Sequence, residues 1–278
     1  MKHLKALLLW LLLLAASCAE NNNTIKVKGS DTEVNLAVQL SETFHGMYPE
    51  YFVSISGGGS GLGIASLING TADVANSSRG INQKEEEIFT EKNLSIDSFV
   101  FAQDAIGFVV ADDLSIDSIS ADNLAKLLNG TYKNWSSITT SNLPVNIYGR
   151  QSNSGTHDFV RQKLKINFSP AAKEMNGNAQ ILEGIKNDHS GIGYVGAGYL
   201  IHGGAKGLKV LKIAAAPNER AYSALDSNII MEGKYIFQRP LFQYFKKQDW
   251  EKIKPFIEFE KSSVGQKIIK DAGYYPVQ

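Results

Sequence analysis

SGGGSGLGIASLINGTADVANSSR, residues 56–79, is the stretch on which the fold turns. Its glycines, Gly57 to Gly59, let backbone N–H groups come close to a ligand, and Ser60 is a preferred residue type at a helix N-cap. Leu62, Ile64, Leu67 and Ile68 then form a short apolar helical pattern, and Asn69-Gly70 reads as its stop. The small-residue run Thr71 to Ser78 follows as a strand and ends at Arg79. Upstream, Ile25–Gly29 and Tyr51–Ile55 read as strands. Between them Ser30-Asp31-Thr32 opens an amphipathic helix carrying Val34, Leu36, Val38, Leu40 and Phe44. Strand, helix, strand, helix, strand is the alternation of an α/β sheet. A helix N-terminus offering free N–H groups, a hydroxyl and the positive end of a dipole suits an anion.

The whole chain has 278 residues, 43% hydrophobic and 20% charged, with 28 basic and 28 acidic side chains. That composition is globular with ample core. A balanced charge argues against nucleic acid as a partner. The single cysteine, Cys18, excludes an intrachain disulfide and a cysteine-based metal site. Residues 1–17 read as a signal peptide: Lys2 and Lys5 precede the apolar run Ala6–Ala16, which is too short to span a bilayer. Leu14-Ala15-Ala16-Ser17-Cys18 resembles the lipobox of bacterial lipoproteins, departing at Ala15 where leucine is usual. The resemblance implies cleavage before Cys18, its acylation, and a polar tether over residues 18–23 holding the chain to a membrane outside the cytoplasm. More than one acyl chain is what stable anchoring needs.

Farther on, Glu85–Asn93 reads as a charged surface helix, Ser120–Leu128 as a helix stopped by Asn129-Gly130, and Val145–Gly149 as a strand. Arg150-Gln-Ser-Asn-Ser-Gly-Thr-His157 forms a loop opening a helix over Thr156–Lys165. Gly191–Gly196 is a buried strand or turn, Leu208–Ala215 a strand, and Trp250–Tyr275 helical. Phe99–Val110 and Tyr235–Phe245 are long interrupted apolar runs, the second broken at Pro240. They read as two crossings between lobes. The expected fold is a two-lobed α/β protein: lobe I from residues 24–106 and 240–278, lobe II from 107–239. Ligands in such sheets bind beyond the carboxyl ends of strands and between domains.

Three segments share one chemistry. Ser30-Asp-Thr32, Ser60-Gly-Leu-Gly63 and Ser154-Gly-Thr156 each follow a strand and open a helix, offering hydroxyls and N–H groups, while Arg79 and Arg150 stand at strand ends beside them. A buried dianion must be paired and fully hydrogen-bonded, and two guanidiniums with neutral donors could do both.

Six motifs occur in order: Lys28-Gly-Ser-Asp-Thr32, Ser56-Gly-Gly-Gly-Ser-Gly61, Ala72-Asp-Val-Ala-Asn-Ser-Ser-Arg79, Asn129-Gly-Thr-Tyr-Lys-Asn-Trp135, Gly149-Arg-Gln-Ser-Asn-Ser-Gly-Thr156 and Gly191-Ile-Gly-Tyr194. With them the chain resembles the phosphate-binding-protein family of bacterial phosphate ABC transporters, in its shorter-chain branch. The resemblance implies a Venus-flytrap fold of the type II periplasmic-binding-protein class, acting as a monomer without a cofactor and delivering inorganic phosphate to a membrane permease. It implies oxyanion contacts from Thr32, Ser60, Arg150, Ser154, Gly155 and Thr156, with Ser30 and Ser78 as neighbours; Arg79 joins this ligand-binding set through its place at the strand end. Longer relatives carry an aspartate at the position of Ser78, which accepts the proton of hydrogen phosphate and helps reject sulfate. Asp31 is a candidate replacement acceptor, and equally a charge at a helix N-terminus.

Other readings have less behind them. Gly191–Gly196 matches a dinucleotide pattern but lacks the preceding strand-like run and the acidic residue about twenty positions on. Gly57–Gly63 lacks the Gly-Lys-Ser/Thr ending of a nucleotide P-loop. Ser154, His157 and Asp158 share one helical turn, where Asp158 cannot orient His157 against Ser154 as a triad requires. The five histidines show no metal-ligand spacing, so no enzyme is expected. The alternatives are the same fold holding sulfate or molybdate, and a surface adhesin or signalling lipoprotein using the fold for protein contacts.

Overall fold

The computed structural model describes residues 23–201 and 204–277; the signal peptide and the acylated Cys18 expected above lie outside them. In chain order the elements are β1 (Thr24–Gly29), α1 (Val34–Met47), β2 (Phe52–Ser56), α2 (Ser60–Ile68), β3 (Val74–Ser77), α3 (Gln83–Glu91) and β4 (Ile96–Ala111). There follow β5 (Ser118–Ser120), α4 (Ala121–Leu128), β6 (Asn146–Arg150), α5 (Gly155–Leu164), β7 (Lys173–Met175), α6 (Asn178–Lys186), β8 (Gly191–Gly196) and β9 (Leu208–Ala214). The chain closes with α7 (Ser227–Met231), β10 (Gln238–Lys246), α8 (Trp250–Lys261), α9 (Ser263–Asp271) and β11 (Tyr275–Pro276). The region expected as one terminal helix is two. Ser262 adopts an extended backbone between α8 and α9 and caps the second through its side chain, accepting from the backbone N–H of Gly265.

One sheet path runs β2-β1-β3-β10-β4-β8-β6-β7. β1 pairs in parallel with β2 and β3, and β6 with β8 and β7, so each half carries the strand–helix–strand units read from the sequence. The halves are joined by β4 and β10, which are antiparallel to each other. β4 pairs with β10 over Ile96–Ala105 and then with β8 and β9 over Ile106–Ala111. Pro240 lies in β10, where a missing N–H would break a central ladder. It is tolerated because β3 pairs only with Phe242–Phe245, leaving Pro240 with β4 alone, and the register shifts at Leu241/Phe242 just beyond it.

Two large cores flank these crossings. In lobe I, Ile25, Leu40, Phe44, Phe101, Leu241, Phe256 and Ile269 join β1, β4 and β10 to α1, α8 and α9. In lobe II, Phe108, Leu124, Trp135, Val160, Ile192, Tyr194 and Phe237 pack together. Smaller clusters cover the other sheet face of each lobe, around Ile64, Leu67 and Phe89 in the first and Ile181, Ile185 and Val195 in the second. Sheets covered by helices on both faces leave the loops at strand ends as the surface where the lobes meet.

Candidate oxyanion site

At that junction the sequence places small polar residues where the backbone turns from strand to helix. Ser30, Thr32, Ser60 and Ser78 come from lobe I and Ser154, Gly155 and Thr156 from lobe II. Ser30 is 3% exposed, Ser60 fully buried, and Thr32, Ser78, Ser154 and Thr156 each 1% exposed. Hydroxyls buried this deeply need partners, and they find one another. Ser30 Oγ donates to Ser78 Oγ at 3.1 Å, Ser60 Oγ lies 3.4 Å from Ser78 Oγ, and Ser60 Oγ accepts from the Ser78 N–H at 3.1 Å. Across the cleft Thr32 Oγ1 and Thr156 Oγ1 are 3.0 Å apart.

Two serines expected as N-caps do something else. The N-cap of α2 is Gly59, at φ 103°, and Ser60 is the first helical residue. A positive φ is available to glycine, and it moves the serine one position inward, where its hydroxyl faces Ser78 rather than its own helix. Ser30 likewise makes no side-chain cap bond and turns to Ser78. Ser154 does cap: its Oγ accepts from the His157 N–H at 3.4 Å. The approach of the lobes depends on Gly155. A Cβ there would stand 2.3 Å from Ser60 Oγ and 2.5 Å from Ser78 Oγ.

The guanidinium at the centre of this cluster is Arg239, a residue outside the motifs quoted above. It is 2% exposed and stands opposite Asp104 in the β10–β4 ladder. Its Nε and Nη2 donate to Asp104 Oδ2 at 3.1 and 2.9 Å. Nη2 also reaches Thr32 Oγ1 at 3.1 Å and Thr156 Oγ1 at 3.0 Å, and Nη1 reaches the Ser78 carbonyl at 3.2 Å. The Phe159 ring from lobe II lies 5.5 Å from the guanidinium carbon. Burial pushes the Asp104 carboxyl up from its ordinary value, and Arg239 works against that push. The usable signal was a lone acid, Asp104, inside one apolar crossing run and a lone base, Arg239, inside the other.

Arg79, counted above among the ligand-binding residues, pairs elsewhere in this structure. Its terminal nitrogens donate to both oxygens of Glu85 at 2.7 and 2.8 Å, its Nε lies 4.0 Å from Asp158, and it is not brought to the hydroxyls. Glu85 is the third residue of α3 and completes a capping box with Asn82, so a fixed carboxylate six positions on captures the arginine. Arg150 is buried at the edge of the cluster. It donates to Asp31 Oδ2 at 3.3 Å and to the Asn176 carbonyl at 3.0 Å. Burial lowers its pKa and the Asp31 charge opposes that shift. Asp31 therefore faces Arg150, not the hydroxyl cluster.

Ser154, His157 and Asp158 turn to separate partners. His157 Nδ1 lies 2.9 Å from the Arg150 carbonyl and its ring sits 4.5 Å from that of Phe168, while Asp158 takes donors from Arg161 and Gln162. Among the described residues no group of three or more His, Cys, Asp or Glu side chains could hold a metal ion. No described helix is long and apolar enough to cross a membrane.

A two-lobed α/β body with buried hydroxyls and a guanidinium gathered between the lobes is the architecture of a substrate-binding protein. The chain belongs to the PBP superfamily, whose domain matches residues 15–262. It is 26% identical over 269 residues to the phosphate-binding protein PstS of Borreliella burgdorferi, covering 93% of this chain and 92% of that one. The fold is also that of a substrate-binding protein from Clostridium perfringens crystallised with bound phosphate, with TM-score 0.82, 19% identity, and coverage of 92% of this chain and 100% of that one. An ABC-type phosphate transport receptor from Vibrio cholerae matches with TM-score 0.72 and 23% identity, covering 91% of this chain and all of the other.

Proposed function

We propose that the chain captures inorganic phosphate between its lobes and delivers it to a membrane ABC permease, working outside the cytoplasm as a lipoprotein anchored through Cys18. The observation that carries this reading is the buried set of hydroxyls from both lobes around Arg239, a donor-rich cluster that suits a small tetrahedral anion. The phosphate-binding names of its relatives support the choice of anion. In this reading Ser30, Thr32, Ser60, Ser78 and Thr156 exchange their mutual bonds for bonds to phosphate oxygens, Ser154 and Gly155 add a hydroxyl and backbone donors, Arg239 supplies the central guanidinium, and Arg150 supports from the edge. Anion bridging stabilises the closed lobes, and the closed form is what a permease recognises.

Titration calorimetry with phosphate, sulfate and molybdate tests this. Phosphate should bind with one site per chain and the other anions weakly. Absence of phosphate heat, or sulfate binding of equal strength, would overturn it. Radiolabelled fatty acid should enter the intact chain and fail to enter a Cys18→Ala variant.

A further inference from the structure

Asp31 belongs to lobe I, yet its carboxylate bonds go to lobe II. Its Oδ2 accepts from Asn178 Nδ2 at 2.7 Å, from the Asn178 N–H at 2.9 Å and from Arg150 Nη1 at 3.3 Å. Its backbone carbonyl accepts from the Tyr199 hydroxyl at 2.8 Å. Asn178 is the first residue of α6 and fully buried, so its N–H is one of the unpaired donors of a helix start. A carboxylate there also meets the positive end of the helix dipole. Glycine at 177 leaves room for the contact: a Cβ would stand 3.1 and 3.2 Å from the two Asp31 carboxylate oxygens, so the carboxylate would have to give way by a few tenths of an ångström. Gly177 itself has extended backbone, φ −150°, which alanine adopts freely. A second bridge lies nearby, with Asn153 Nδ2 donating to the Gly58 carbonyl at 3.1 Å and the Gly61 N–H to the Asn153 carbonyl at 3.0 Å.

We propose that Asp31, with Asn178 and Tyr199, is a latch that draws the lobes together by itself, closing a fraction of the molecules before any anion arrives. Asp31 precedes Thr32, so fastening the latch brings Thr32 Oγ1 to within 3.0 Å of Thr156 Oγ1 and assembles the two halves of the hydroxyl cluster. Asp31 is thus a positioning residue for anion capture, and only this second part rests on the phosphate reading above. A ligand that binds the closed form has an apparent affinity reduced by the fraction of molecules that are closed. The latch sets that fraction.

Three variants test it: Gly177→Ala and Tyr199→Phe, which leave every cluster residue in place, and Asp31→Asn. Small-angle X-ray scattering without ligand and calorimetry with inorganic phosphate are the readouts, with circular dichroism to verify folding. Ligand-free wild type should have a smaller radius of gyration than Gly177→Ala and Asp31→Asn, with Tyr199→Phe between. Phosphate affinity should fall about tenfold in Gly177→Ala, and saturating phosphate should restore the wild-type radius. A ligand-free wild type as expanded as the variants overturns the latch. So does a lowered melting temperature with unchanged radius and affinity, the pattern of a merely structural contact. Should wild type give no phosphate heat, the functional reading falls while scattering still decides the latch. Should Asp31→Asn not fold, the glycine and tyrosine variants carry the test.

Discussion

Arg239 and Asp104 form a buried pair, both side chains at 1% exposure or below, and such a pair is weak as a stabiliser but costly to break. Removing either partner leaves a buried charge uncompensated, at about 3–5 kcal/mol. Asp104→Ala should therefore lower stability by that order in denaturant unfolding. Arg239→Lys is the gentler probe, since it keeps the charge and loses the fork that reaches Thr32, Thr156 and Ser78 together. It should weaken phosphate binding by about 1.5–3 kcal/mol, roughly ten- to a hundredfold by calorimetry. Gly155→Ala should weaken binding through closure, because the new methyl meets Ser60 and Ser78 before the lobes do. Arg79→Ala, in contrast, should leave affinity near wild type and cost about 1 kcal/mol of stability through the lost Glu85 pair.

Among the elements, α8 carries a buried acid against β10. Glu260 is 1% exposed and accepts from Gln243 Nε2 at 3.0 Å, and burial raises its pKa to about 8. Glu33, ahead of α1, is fully buried and is likewise pushed well above 4.5 by desolvation. A carboxyl whose folded pKa lies above its unfolded one contributes its stability fully below the unfolded value and loses it as pH climbs to the folded one. Wild type should therefore lose stability between about pH 4.5 and about pH 8. Glu260→Gln, which mimics the protonated form, should flatten that slope, with a melting temperature above wild type at alkaline pH in scanning calorimetry. The elements also divide what was readable in the chain from what was not. The three strand-to-helix loops were legible because glycine, hydroxyl and cap chemistry acts within a few residues. What each hydroxyl faces was not, since Ser30 and Ser60 look like ordinary caps until β3 brings Ser78 beside them. Arg239 was hidden for the same reason: its partner lies 135 positions away, and only the β4–β10 register sets them opposite. Arg79 misled in the other direction, because a strand-end arginine is captured by Glu85, a helix-start carboxylate whose orientation only the capping box reveals.

For the molecule as a whole, an anion that binds only the folded, closed form must stabilise it by mass action. Phosphate at a hundredfold excess over its Kd contributes about 2.7 kcal/mol. In a chain of this size that is a rise in melting temperature of roughly 5–10 °C, seen by differential scanning fluorimetry and largely lost in Arg239→Lys. The paired crossings have a further consequence. The Ile106 N–H donates to the Phe237 carbonyl at 2.9 Å, so the chain leaves for lobe II and returns at a single point. Topologically lobe II is a cassette whose two ends already touch. One short turn across that point could make it a free-standing domain, and the same two junctions mark where the corresponding half of a relative could be spliced in to build a chimaera.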